Sequence, residues 1–125
     1  MRWYAAHVII GLAQDGRNAD DPILCWENVI ILNAKDECEA KEMAIAFGEE
    51  EAAIDDQLRI DNIMAKRVFA GVRKIVSISN IDGSQDEAPP SHGSEITYSQ
   101  YIVSSIGDLM QLGSGDEVNI VYTDR

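Results

Sequence analysis

Charged and phenolic side chains inside strand-forming stretches are the residues of this chain best placed to do chemistry. Glu27 and Asn28 stand in the apolar run Ile23 to Ala34. Arg73 and Lys74 stand in the β-branched run Val68 to Ser79, and Glu95, Tyr98 and Tyr101 in the run Glu95 to Ser104. Charged residues are depleted from strands, so each wants a reason. Cross-strand ion pairing is one reason, contributing under about 1 kcal/mol per pair. A polar pocket on a sheet face is another, with Arg73 gripping a carboxylate or a partner's backbone. Glu27, Asn28, Arg73, Glu95, Tyr98 and Tyr101 are therefore the candidate binding residues. In an enzyme, Glu27, Glu95 and Tyr98 would be acid–base groups, and raised carboxyl pKa values would mark them.

Other chemistries find less support. A serine or cysteine hydrolase needs a base oriented by a third group. His7 lies mid-strand among apolar neighbours, His92 lies in a loop beside Gly93, and no Gly-x-Ser-x-Gly elbow occurs. His7 reads as a hydrogen-bonded sheet histidine. Asn80, Asp82, Asp86 and Glu87 superficially suggest calcium, but Gly83 falls at loop position four where an EF-hand needs it at six. Glu49, Glu50 and Glu51 with Asp55 and Asp56 read as a solvated helix end. Gly113 and Gly115 precede a strand rather than a helix, so they offer an anion no helix N-terminus. No catalytic residue, metal ligand or cofactor is assigned.

The balance of charge narrows the partners. With 22 acidic against 10 basic residues the net charge is −12, which repels phosphate backbones and excludes nucleic acid as an expected partner. The same charge suits a solubility surface or a basic protein partner. No apolar run approaches the ~20 residues of a membrane helix. Cys25 and Cys38 form no CxxC spacing and are expected to be free thiols of a cytoplasmic protein. A chain of 125 residues is read as one domain, 1–125.

The elements that must position these side chains follow from periodicity. Trp3 to Leu12 predicts a strand apolar on both faces, hence central or covered on both sides, in preference to a short signal segment. Asp15-Gly16 and Pro22 mark a turn, so Ile23 to Ala34 pairs back as an antiparallel hairpin. Asp36 predicts a helix N-cap, with Glu39 as its capping-box partner. Ala40, Met43, Ala44 and Phe47 then give one buried stripe. Gly48 is a candidate C-cap, though Glu49 to Glu51 could continue the helix. Asp55 to Lys66 is ambiguous. Val68 to Ser79 is the third strand, where Gly71 suggests a bulge or close backbone approach. A loop spans Asp82 to Gly93. Glu95 to Ser104 is the fourth strand and Ile106 to Leu112 a helical turn. A last strand follows, with Val118, Ile120 and Tyr122 facing inward. The expected fold class is α+β: a mostly antiparallel five-stranded sheet in ββαβββ order, with one main helix packed on one face.

Several blocks carry a resemblance: Trp3-Tyr4-Ala5-Ala6-His7-Val8, Trp26-Glu27-Asn28, the Ala34 to Ala40 stretch holding Asp36 and Glu39, Val68 to Arg73, and Gly93 to Ser99 with its Glu95-Ile96-Thr97-Tyr98 core. In this order and spacing they resemble an uncharacterised bacterial family of small proteins classed as a domain of unknown function. The resemblance covers nearly the whole chain and implies a stand-alone bacterial domain. It implies no activity, cofactor or catalytic residue.

Three functions stay open. The first is a non-enzymatic interaction module using the acidic surface or an open sheet face, for example an inhibitor or immunity-like protein. The second is a small-ligand sensor or carrier with its pocket on the sheet. The third is an enzyme using carboxylate acid–base chemistry. One helix cannot cover both faces of the sheet, and strict alternation does not place Trp3, Trp26 and Phe69 on one face. A homodimer through sheet surface is therefore expected.

Overall fold

The computed structural model describes residues 2–78, 93 and 95–123, and for 95–98 the backbone alone. Strands β1 (Arg2–Gln14) and β2 (Ile23–Ala34) form the expected hairpin. Their register is unbroken from Arg2 opposite Ala34 to Leu12 opposite Leu24. Helix α1 (Glu37–Ala52) follows, then β3 (Arg59–Ile60), β4 (Ile63–Ile78), β5 (Glu95–Val103), helix α2 (Ile106–Gly113) and β6 (Ile120–Tyr122). The sheet has six strands in the order β3-β4-β1-β2-β5-β6, and every neighbouring pair is antiparallel. The α+β class and antiparallel sheet match the sequence reading. The strand count, the element order and the single helix do not.

The central place of β1 and β2 explains why both read as apolar on both faces. Tyr4, Ala6, Val8, Ile10 and Leu12 of β1 join Ile30, Leu32 and Ala34 of β2 against α1. Ile9 of β1 joins Ile23 and Cys25 of β2, Tyr101 and Val103 of β5, and Leu109 and Leu112 of α2. Helix α2 covers this second face only in part: Val76 and Ile78 of β4, opposite Ala5 and Trp3 on the same face, stay exposed. Trp26 and Phe69 pack on the α1 side, while alternation turns Trp3 to the other. Among the described residues no helix is long and apolar enough to cross a membrane.

Local chemistry sets the helix ends. Asp36 Oδ1 accepts from the Glu39 amide at 2.8 Å and caps α1. Glu39 Oε1 in turn accepts from the Lys35 amide at 3.3 Å, one residue before the cap. Ala40, Ala44 and Gly48 are the buried stripe. Gly48 is not the C-cap: α1 continues to Ala52, and a Cβ at Gly48 would lie 2.3 Å from the Phe69 ring. Glycine there serves close packing of helix on sheet. Ser105 caps α2 by accepting from the Asp108 amide at 3.1 Å.

The ambiguous segment 55–66 turns out to start a hairpin. β3 and β4 meet around Asp61 and Asn62, whose φ values of 52° and 66° suit a two-residue turn following the strands' twist. β4 therefore begins five residues before the expected Val68. At the other end of the sheet, β6 is shorter than expected and Val118 precedes it. Val118 and Ile120 pack against the second core cluster. Tyr122 shares the face of Ile120, opposite Tyr101 of β5, but is not buried. It lies on the outermost strand, 71% exposed.

Candidate functional site

Glu27 is the centre of the site. It is one of two polar residues buried among the described ones, 8% exposed. The hairpin register sets Glu27 opposite Ile9 and β5 sets it opposite Ser99. His7 and Tyr101 are then its diagonal neighbours on the same sheet face, within reach of long side chains. His7 Nδ1 lies 2.7 Å from Glu27 Oε2, and the Tyr101 hydroxyl donates to Oε1 at 2.7 Å.

Arg73 reaches the same carboxylate through an irregularity. Along β4, Lys74 is opposite His7 and Val72 opposite Val8, so Arg73 is an extra residue in the ladder. Regular alternation would send Arg73 to the α1 side. The bulge sends it to Glu27. Arg73 Nε donates to Oε1 at 2.9 Å and Nη2 to Oε2 at 2.6 Å. A second bulge falls at Ala70, beside Gly71. A Cβ on Gly71 would lie 2.6 Å from the Gly113 carbonyl oxygen, and one on Gly113 2.3 Å from that of Ala70. The two glycines let the end of α2 dock backbone to backbone on β4. Both readings of Gly71, bulge and close approach, hold.

Four hydrogen bonds on two oxygens saturate Glu27. Burial alone would raise its pKa. Hydrogen bonds from Arg73, Tyr101 and His7, with the Arg73 charge, outweigh burial and hold it down at about 2. An ionised carboxylate only accepts, so His7 Nδ1 carries the proton in this contact. Burial, then the Glu27 hydrogen bond, push the Tyr101 hydroxyl well above its ordinary range. Cys25, buried beside this network, is raised to about 12 by burial first and the Glu27 charge second. Such a thiol is inert. Glu27 carries the opposite of the raised pKa that acid–base catalysis would need.

The remaining candidates separate. Asn28 is buried on the opposite side of the sheet, where its Nδ2 donates to both Glu51 carboxylate oxygens at 3.2 and 3.0 Å. Adjacent strand residues face opposite ways, so Asn28 is not part of the Glu27 cluster. The β5 backbone sets Glu95 opposite Ile30 and Tyr98 opposite Asn28. Their side chains lie outside the described residues, as does the 80–87 loop read for calcium. Among the described residues no group of His, Cys, Asp or Glu could hold a metal ion. Both cysteines are free.

A pocket of about 640 Å³ opens above the cluster. Glu27, Arg73 and Tyr101 contribute to its floor, and Asp116, Glu117 and Tyr122 to its wall. The wall segment turns back after α2. Gly115 takes φ 93°, the Asp116 amide donates to the Gln111 carbonyl at 3.0 Å, and a Cβ on Gly115 would lie 3.3 Å from the Arg73 carbonyl oxygen. The sequence reading brought Glu27, Arg73 and Tyr101 together. It read His7 as a hydrogen-bonded sheet histidine, which it is, but left it out of the site, to which its parity with Ile9 on β1 pointed. Asp116 and Glu117 gave no signal, because their place depends on where α2 docks, and Tyr122 was read only as facing inward on the last strand. No protein-family model, curated protein or solved structure matches this chain.

Proposed function

We propose that the protein is a non-enzymatic binding module that engages a partner protein through the pocket on the α2 face. The saturated Glu27 carries this reading. A carboxylate with its lone pairs occupied and its pKa near 2 anchors a site without reacting in it. What remains accessible is a shaped, mostly polar hollow. An inhibitor or immunity-like role against a basic protein remains one example, in keeping with the resemblance to a bacterial family of unassigned function. The polar lining argues against a carrier of apolar ligands.

The test is affinity capture from source-cell lysate with the native protein and with Asn119→Trp. Asn119 is exposed and lines the pocket, so an indole there obstructs the hollow without entering the core. The variant should keep its melting temperature and lose the proteins the native chain captures. Equal capture by both would sink the reading. Self-association is a second proposal, on a different patch. Val76 and Ile78, 46% and 39% exposed, stand on β4 opposite Ala5 and Trp3. Sedimentation at micromolar concentration should give a dimer mass that Val76→Lys abolishes. A monomeric native protein would refute it.

A further inference from the structure

We propose that the pocket takes a cationic group, the ammonium of a lysine side chain presented by a basic partner. The inference rests on the pocket being the binding site.

The charge of the lining carries it. Arg73 and Glu27 neutralise one another through contacts of 2.9 and 2.6 Å, so the floor adds no net charge. On the wall, Asp116 and Glu117 are exposed, and neither enters an ion pair among the described residues. The lining therefore carries two uncompensated carboxylates. Exposed Tyr122 lines the same hollow and meets the buried Tyr101 ring edge to face, centroids 5.6 Å apart at 80°. An aromatic face attracts a cation within about 6 Å of its centroid. A carboxylate ligand meets the reverse conditions. Glu27 already occupies the Arg73 fork, and Asp116 and Glu117 repel a second anion. An ammonium, a compact charge with three donors, fits two carboxylates and a ring better than a planar guanidinium does. The net charge of −12 also speeds encounter with a basic partner.

The experiment is an NMR titration of the folded protein, reading backbone amide shifts. The probe is a lysine flanked by two glycines and blocked at both ends. Amides of residues 115–119 and Tyr122 should move. Acetylating the lysine should abolish the shifts. Asp116→Asn with Glu117→Gln, both at exposed positions, should weaken apparent affinity by about two- to thirty-fold with the melting temperature kept. Equal shifts from the acetylated peptide, unchanged affinity in the double variant, or preferred binding of the glutamate counterpart would each overturn the proposal. If the lysine peptide moves nothing while Asn119→Trp still abolishes capture, the ligand class falls and the site stands. If Asn119→Trp captures as the native protein does, the site itself falls.

Discussion

Replacing Glu27 by glutamine keeps the side chain's shape and removes its charge. Arg73, Tyr101 and His7 then share one amide oxygen where two carboxylate oxygens accepted four contacts. The magnitude follows from linkage. Depressing the carboxyl from its ordinary 4.5 to about 2 is worth about 3 kcal/mol to the folded state at pH 7. That agrees with the ~3–5 kcal/mol lost when one partner of a buried ion pair is removed. The sign is that of a depressed acid. The stabilisation is fully present above the unfolded value of 4.5 and is lost as pH falls from there towards 2. Urea unfolding of the native protein and Glu27→Gln should therefore differ by about 3 kcal/mol at pH 7 and by about half that at pH 3. A difference that does not change with pH, or one below about 1 kcal/mol at pH 7, would refute the reasoning.

Asp36→Ala should cost about 1 kcal/mol in urea unfolding, because the Glu39 amide loses its acceptor; an unchanged midpoint would place the cap elsewhere. Gly113→Ala sets a methyl 2.3 Å from the Ala70 carbonyl oxygen and should destabilise by about 1–3 kcal/mol, whereas Gly16→Ala, with open space around it, meets only its positive φ of 82°. Equal losses at the two sites would remove the close docking of α2. Thiol titration should count one fast cysteine in the native protein, the exposed Cys38, and two after unfolding, because Cys25 is buried with its pKa raised to about 12. Two fast thiols in the native state would contradict the packing around Tyr101.

The parts of this fold that could be read in the sequence are those whose cause is local. The two apolar faces of β1, the carboxylate at Asp36 and the glycine at position 71 each state their requirement within a few residues, and the structure meets each one. Polar residues within strands likewise pointed to Glu27, Arg73 and Tyr101. Grouping Asn28 with them overlooked the alternation that sends it to Glu51. Asp61-Asn62 was a turn signal in plain view, hidden by the charged residues around it. The weight of α2 was hidden for another reason. Its eight residues are amphipathic, but a segment that short is hard to tell from a helical turn by pattern alone, and Leu109 and Leu112 acquire meaning only once Gly71 and Gly113 let the helix approach the sheet. The bulge that turns Arg73 towards Glu27 is a property of the β1–β4 register, so no window of the sequence contained it.

The central claim is that Glu27 is a permanently ionised anchor on which an unreactive binding site is built. The most direct measurement is the carboxyl carbon shift of Glu27 by NMR, followed from pH 7 downward in the folded protein. The account expects that signal to stay flat through 4.5 and to titrate near 2. Titration at or above 4.5 would contradict it, and would return Glu27 to the groups able to exchange a proton in catalysis.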